Sequence, residues 1–245
     1  MRKHFEISYC PLRVSLNALE RAELPPYLGS TLRGALGQAL LQTDKEACAF
    51  LYRNSEKEDM DAGKVVAKPY MIIPPEIQRP QTVIEQGEKL NFELLLFGSA
   101  EESVSAVVSA LEQLYRFGLG ARRYRFDLSE IINSQTQRII WRKGKYFKDA
   151  VTAAEIQGEE LQNVTGMVIK ICTPLRIRHG GRLVKKISFQ TLIRNITNRI
   201  MELTERYGGW IDQEEADRLL VLAEKVSTVH EEIKVERMER YSNRT

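Results

Sequence analysis

The chain has 245 residues, of which 43% are apolar and 28% are charged, and its formal net charge is +3. These values are typical of a globular protein with one large or two small domains, and they exclude a disordered or fibrous chain. The sequence has no apolar signal region and no apolar run of membrane-spanning length, so we expect a cytoplasmic protein without membrane contact. The three cysteines are Cys10, Cys48 and Cys172, and they form no CxxC pair. This spacing argues against a zinc ribbon or a disulfide framework, and we expect neither a metal nor a cofactor.

The first predicted elements are strands and one helix. Apolar residues alternate from Phe5 to Leu16, which predicts a strand, and a helix with one apolar face follows over Leu28–Gln42. Beyond a polar segment, strands are predicted over Val65–Ile73 and Leu90–Phe97.

A second helix is predicted behind these strands. Ser99–Glu102 has the pattern of a capping box, the helix behind it ends at Gly118, and a further strand covers Tyr124–Ile132. The resulting order, β-α-β-β-α-β, predicts a ferredoxin-like unit.

The second part of the chain begins with a predicted strand over Val164–Cys172. A long helix over Phe189–Tyr207 has a continuous apolar stripe and ends at Gly208-Gly209. A helix capped by Asp212 and a strand over Glu232–Tyr241 complete the predicted elements.

We therefore expect an α+β protein of two ferredoxin-like (RRM-like) domains, of which the second is incomplete. The first domain covers residues 1–135, a basic hairpin and acidic linker cover residues 136–162, and the second domain covers residues 163–245. Such a second domain lacks a strand, a helix and a last strand, which indicates a smaller variant of the fold or a truncated sequence. We favour truncation, and an unpaired strand edge there would promote dimerisation.

Basic residues are concentrated in two segments. Residues 116–148 contain nine Lys or Arg and two acidic residues, and residues 170–186 contain six Lys or Arg and no acidic residue. The first segment includes FGLGARRYRFD, in which glycines allow close backbone approach to an anion and arginines neutralise phosphates. In an alternating strand Tyr124 and Phe126 would be core residues. We therefore predict that a nucleic acid is bound by Gly118, Gly120, Arg122, Arg123, Arg125, Arg176, Arg178, Arg182, Lys185 and Lys186.

Four stretches resemble a known family: LPPYLGSTLRGALGQAL, GLGARRYRFDL, VIKICTPLRIRHGGRLV followed by ISFQTLIRNITNRIMELTERYG, and ERYSNR. In order and spacing they resemble a CRISPR-associated endoribonuclease of the Cas-six type, within the repeat-associated RNA-binding superfamily. This resemblance implies tandem ferredoxin-like domains that bind the repeat of a precursor CRISPR RNA and cut it without a metal. It also implies other CRISPR-associated subunits as partners.

The resemblance also suggests where the reacting groups lie. The family tends to keep them near the first helix, so Tyr27 and Arg33 are candidate catalytic residues, and His179 is the best placed histidine. Each has a simpler explanation: Tyr27 packs beside the two prolines, Arg33 forms a surface ion pair, and His179 only binds RNA.

Two departures from the family pattern leave an alternative open. The first helix carries Gln38 and no histidine, and no C-terminal glycine-rich loop follows ERYSNR. A non-catalytic RNA-binding subunit of a CRISPR effector complex fits both departures. A scaffold whose basic patches contact an acidic protein is a third possibility, whereas a nucleotide-dependent enzyme is disfavoured because there is no GxxxxGK[ST] motif.

Overall fold

The structure is a computed structural model, and it describes residues 4–53, 66–75, 82–156, 163–179, 182–184 and 186–233. The chain forms two compact units. We call the described residues from 8 to 154 the sheet unit, and residues 4–7 together with 155–233 the helical unit. No helix within the described ranges has the length and apolar character that crossing a bilayer requires.

The described strands are β1 (Phe5–Glu6), β2 (Ser8–Ala18), β3 (Ala22–Leu24), β4 (Tyr70–Ile73), β5 (Thr82–Ile84), β6 (Lys89–Phe97), β7 (Phe126–Asn133), β8 (Ile139–Arg142), β9 (Lys145–Tyr146), β10 (Ala154–Glu155), β11 (Arg178–His179), β12 (Arg182–Leu183) and β13 (Trp210–Ile211). The described α-helices are α1 (Gly29–Thr43), α2 (Lys45–Cys48), α3 (Val104–Glu112), α4 (Leu114–Phe117), α5 (Phe189–Tyr207) and α6 (Gln213–Glu224). A π-helical turn covers Ala49–Arg53, and 3₁₀ turns cover Gly98–Ser103 and Lys148–Ala150.

The sheet unit is built on one antiparallel sheet. Its strands follow the spatial order β4-β6-β2-β7-β8-β9. Strands β2 and β4 are both antiparallel to β6, so they are parallel to each other, and α1 lies between them in the chain. Strands β6 and β7 are both antiparallel to β2, so they are also parallel to each other, and α3 lies between them in the chain. Two interleaved β-α-β crossovers of this kind make the ferredoxin-like topology, so the predicted α+β class and the first predicted ferredoxin-like unit are confirmed.

The core of the sheet unit lies between the sheet and its helices. Leu12, Val14 and Leu16 alternate along β2 and are completely buried, which is the period of two expected for a strand with one covered face. The buried residues of α1 and α3 follow the helical period instead: Leu32, Leu36, Ala39 and Leu40 in α1, and Val104, Val107, Val108 and Leu111 in α3.

Several predicted boundaries of the sheet unit differ from those observed. The strand predicted from Val65 begins at Tyr70, directly after Pro69, which has no N–H for a strand ladder. The capping box predicted at Ser99–Glu102 does not form: this segment is a 3₁₀ turn, and no side chain caps α3 at Ser103.

The helical unit contains α5, α6 and two short strand pairs, β1 with β13 and β11 with β12. The side chain of Ser188 accepts a hydrogen bond from the Thr191 N–H at the start of α5, and the helix ends before Gly208, as predicted. Gly209 has a φ of +116°, and a Cβ there would collide with the carbonyl of Glu6 in the paired strand.

The strand predicted over Val164–Cys172 is not formed, which corrects that expectation. The segment has no ladder partner among the described residues, and the side chain of Val168 is 97% exposed. Alternating apolar residues favour a strand only where a neighbouring strand satisfies their backbone groups. The strand predicted over Glu232–Tyr241 lies mostly outside the described residues, and a complete second ferredoxin-like domain stays a prediction.

Candidate functional site

A tight turn at the end of α4 carries the first basic segment; we call Gly118–Arg125 the basic turn. Leu119 and Tyr124 form a two-way backbone bridge, with N···O distances of 2.8 and 3.0 Å, and the Arg123 N–H donates to the Gly120 carbonyl at 3.1 Å. Gly118 has a φ of +66°, and a Cβ on it would collide with the backbone of Arg123. The backbone of the turn is therefore fixed by close packing that only glycine permits.

Two of the arginines on the basic turn are exposed and without a counter-charge. Arg122 and Arg123 have no carboxylate within ion-pair distance in the part of the chain that the structure describes. Arg125 differs, because its Nε lies 3.4 Å from Glu20 Oε1 and its backbone N–H donates to the same oxygen at 2.8 Å. The turn thus presents two guanidinium groups without a counter-charge, of which Arg122 donates from Nη1 to the Tyr124 hydroxyl at 3.4 Å, and a third that is partly neutralised.

The alternation predicted for this segment is only partly observed. Arg123 has a φ of +54° and belongs to the turn, so it does not share a strand face with Arg125. The strand begins at Phe126, which is completely buried, and Tyr124 is half-buried against the same core. The prediction that these aromatic residues belong to the core is confirmed.

An exposed aromatic-cation pair precedes the basic turn on α4 and was not predicted. Arg116 Nε donates to the Tyr115 hydroxyl at 2.9 Å, and the guanidinium carbon lies 5.4 Å from the centre of the Tyr115 ring. Their adjacency to the glycines of the turn is the only sequence signal that pointed to them. The pair adds an exposed aromatic surface to the cations of the turn.

The open face of the sheet has a different character. Arg13 and Glu93 lie 3.7 Å apart on it, and Ser15 Oγ donates to Asn91 Oδ1 at 2.7 Å. These side chains satisfy one another across β2 and β6, and at the end of the same two strands the rings of Tyr9 and Phe97 lie 6.5 Å apart. Arg13 on this face is therefore already paired, whereas Arg122 and Arg123 on the basic turn have no carboxylate partner among the described residues.

Replacing Glu20 by Gln is expected to strengthen RNA binding. Gln keeps an oxygen that accepts from the Arg125 N–H, but it removes the charge that neutralises the guanidinium. The hydrogen bond from the Arg125 backbone is also the main reason why the pKa of the Glu20 carboxyl is lowered. Filter binding to RNA should show an affinity about twofold to fivefold higher than that of the wild type. An unchanged or lower affinity would show that Arg125 does not face RNA.

The start of α1 holds two of the predicted catalytic residues. Tyr27 is half-buried and its ring lies over Gly29, where a Cβ would collide with its hydroxyl. Leu28, the residue before the helix, provides no side-chain cap. Tyr27 therefore packs against the first turn of α1, with its hydroxyl beside the positive end of the helix.

Arg33 lies in a cluster of aromatic and basic residues that was not predicted. Its guanidinium carbon is 5.9 Å from the ring centres of both Tyr52 and Tyr70, and these rings are 5.2 Å apart. The Tyr52 hydroxyl donates to the Arg33 carbonyl at 2.8 Å. Contacts made by residues from α1, the π-helical turn and β4 leave no trace in a linear sequence.

The electrostatics of this cluster favour anion binding over proton abstraction. Burial is the main cause that raises the pKa of both Tyr52 and Tyr70, so neither supplies a phenolate near neutral pH. Burial, and then the charge of Arg33, lowers the pKa of Lys68. The guanidinium of Arg33 can therefore stabilise negative charge, whereas the two described tyrosines of the cluster do not act as bases near neutral pH.

The second basic segment forms a short hairpin in the helical unit. Arg178 pairs with Leu183 and His179 pairs with Arg182, and the Val184 N–H donates to the Ile177 carbonyl at 2.9 Å. Arg176 and Lys186 are exposed. Lys185 lies outside the described residues, as do the side chains of Arg178, His179 and Arg182. Tyr27 and Arg33 belong to the sheet unit and His179 to the helical unit, so one described unit does not contain all three candidates.

No curated protein matches the chain significantly. Among solved structures, a Csm3-Csm4 subcomplex of the type III-A CRISPR-Cas interference complex is 15% identical, with a TM-score of 0.34 over 54% of this chain and 79% of that chain. A Cas6 product complex is 14% identical, with a TM-score of 0.29 over 53% of this chain and 40% of that one. A CRISPR-associated protein Cas6 is 11% identical, with a TM-score of 0.32 over 64% of each chain. These similarities are too low to assign a function.

A protein-family comparison covers the sheet unit. The family described as AF_1859_N, N-terminal domain, matches residues 7–156, which is more than half of the 245 residues. The matched segment contains β2 to β9, α1 to α4 and the basic turn. The chain therefore belongs to the AF_1859_N N-terminal domain family.

Proposed function

We propose that this protein binds CRISPR repeat RNA and takes part in CRISPR RNA processing. The observation that carries the proposal is the basic turn, where Arg122 and Arg123 are exposed, held by a fixed backbone and without a carboxylate partner among the described residues. Guanidinium groups in this setting neutralise phosphates and make affinity dependent on salt. The sequence resemblance described above supplies the CRISPR context of the RNA.

We further propose that the protein cleaves this RNA without a metal. In that reaction the ribose 2′-OH attacks the adjacent phosphorus and the 5′-oxygen leaves, which gives a 2′,3′-cyclic phosphate and a 5′-hydroxyl. Arg33, with Lys68 beside it, would stabilise the negative charge that develops on the phosphorane. Tyr27, in the same unit as Arg33, and His179, in the helical unit, are separate candidates for proton transfer.

A non-catalytic RNA-binding subunit is the second candidate function. All three histidines of the chain lie outside residues 8–154, and the tyrosines around Arg33 have raised pKa values. Among the described residues, the neighbourhood of Arg33 therefore offers positive charge without a histidine or a phenolate, which suits binding better than cleavage.

Incubation with end-labelled CRISPR repeat RNA in EDTA separates these two functions. For the nuclease we expect one cut that ends in a cyclic phosphate, and we expect Arg33→Ala to slow it by about a hundredfold, as the loss of one charge-stabilising group does. Arg21→Ala, which removes an arginine paired with Glu23 and Glu85, is the matched control and should cut normally. Salt-dependent binding with no cut at any time would establish the binding subunit, and absence of binding even at low salt would contradict both functions.

A further inference from the structure

A cleft of about 600 Å³ opens in the sheet unit beside the start of α3. One wall is the 3₁₀ turn before α3, and the other is formed by β9 and the residues that follow it. Its polar and aromatic lining consists of Ser99, Glu101, Glu102, Ser105, Tyr146 and Lys148. This volume lies within the usual range of small-molecule sites.

The wall before α3 contains polar groups that the fold itself does not use. Ser99 and Glu102 have the spacing of a capping box, yet neither side chain makes a hydrogen bond to any described residue. Glu101 also has no ion-pair or hydrogen-bond partner within those residues. Three acceptor side chains are therefore available on one wall of the cleft.

The charges in the cleft are separated. Glu101 and Tyr146 lie near the buried thiol of Cys10, whose pKa is raised to about 12 by burial and then by the charge of Glu101. Lys148 lines the other wall, and Lys143 and Lys145 are exposed on the adjoining hairpin. The carboxylates repel phosphate from the wall they occupy, whereas the lysines attract it to the hairpin.

We infer that this cleft holds a single unpaired guanine of the bound RNA, with its Watson–Crick edge toward Glu101 and Glu102 and its phosphate toward Lys148. This inference rests on the proposed function, since it assigns a base-reading site to the same RNA.

The chemistry of the lining selects guanine among the bases. Carboxylates only accept hydrogen bonds, and guanine presents two adjacent donors, N1–H and the 2-amino group, that one carboxylate can accept together. Uracil offers a single donor between two acceptors, which the carboxylates repel. The exposed ring of Tyr146 supplies a face on which an unstacked base can lie.

The test uses the full chain and two short single-stranded RNAs that are rich in uridine. One RNA has a guanosine at its centre and the other has an inosine, and inosine lacks the 2-amino group of guanosine. Fluorescence anisotropy of the wild type should show at least about fivefold tighter binding to the guanosine RNA. We expect Glu101→Gln or Glu102→Gln to abolish this preference, and Tyr146→Ala to weaken binding of both RNAs. Glu46→Gln, which changes an exposed carboxylate on α2, is the control and should keep the preference. Thermal unfolding of each variant verifies that it is folded.

Four results would overturn the inference. Wild-type binding that is equally tight with guanosine and inosine would remove the guanine site and leave the RNA-binding function intact. A preference that survives in both glutamine variants would show that the carboxylates only stabilise the start of α3. Binding of free GMP that is as tight as binding of the guanosine RNA would indicate a mononucleotide site instead. Absence of any RNA binding would overturn the proposed function as well as this inference.

Discussion

Replacing Arg122 and Arg123 together by alanine is expected to weaken binding of CRISPR repeat RNA by about tenfold to a hundredfold. Each guanidinium is exposed and has no carboxylate partner in the described chain, so its contact with a phosphate is not offset by breaking an internal ion pair. Loss of two phosphate contacts to a single strand should also reduce the slope of log affinity against log salt by about 1.4. Filter binding at several salt concentrations measures both quantities.

The control for this experiment is the double variant Arg13→Ala/Arg21→Ala, which removes the same charge from the sheet unit. Arg13 faces Glu93 at 3.7 Å, and Arg21 lies against Glu23 and Glu85. Because these arginines are already neutralised locally, we expect less than about a threefold loss of affinity. If both double variants bind alike, the RNA surface does not include the basic turn.

Replacing Gly118 by alanine is expected to lower the free energy of unfolding by about 2–4 kcal/mol. The φ of +66° and ψ of 172° at this position are adopted almost only by glycine, and the added Cβ would overlap the Arg123 backbone. The turn would have to open, which separates Leu119 from Tyr124 and displaces Arg122 and Arg123. Urea denaturation measures the loss of stability, and RNA binding by the folded variant measures the displacement.

Gly34→Ala provides the matched comparison within α1. Gly34 has helical geometry, and apart from its chain neighbours and the backbone of its own helix no atom lies within 4 Å of the position its Cβ would occupy. This change should stabilise the protein by about 0.5–1 kcal/mol and leave RNA binding unaltered. Equal effects of the two substitutions would mean that the close approach at Gly118 is not what holds the basic turn.

Local sequence patterns predicted best where the local and tertiary preferences agree. The stripe from Phe189 to Tyr207 and the glycines after it predicted α5 correctly, since the period of apolar residues and the stop signal lie within the helix itself. Val164–Cys172 has an equally regular alternation but no described ladder partner, and it forms no strand. A strand needs hydrogen bonds from elsewhere in the chain, whereas a helix makes its own.

For the candidate site, composition indicated the kind of partner and the structure decided which atoms are available to it. The clustering of arginines with glycines in residues 118–125 predicted a basic turn from the sequence alone. Only the folded chain pairs Arg125 with Glu20, leaves Arg122 and Arg123 without a carboxylate partner among the described residues, and brings Arg33 beside Tyr52 and Tyr70.

The sequence by itself determined the α+β class, the order of elements in the sheet unit and the position of the basic turn, because apolar periodicity and glycine placement are local properties. The tertiary structure decided the strand order β4-β6-β2-β7 and the 3₁₀ turn in place of a capping box at Ser99–Glu102. It also decided the cleft between that turn and β9. These features depend on contacts between residues that are distant in the chain. The free energy of those contacts outweighs the local helix and strand propensities, which are each worth about 1 kcal/mol per residue.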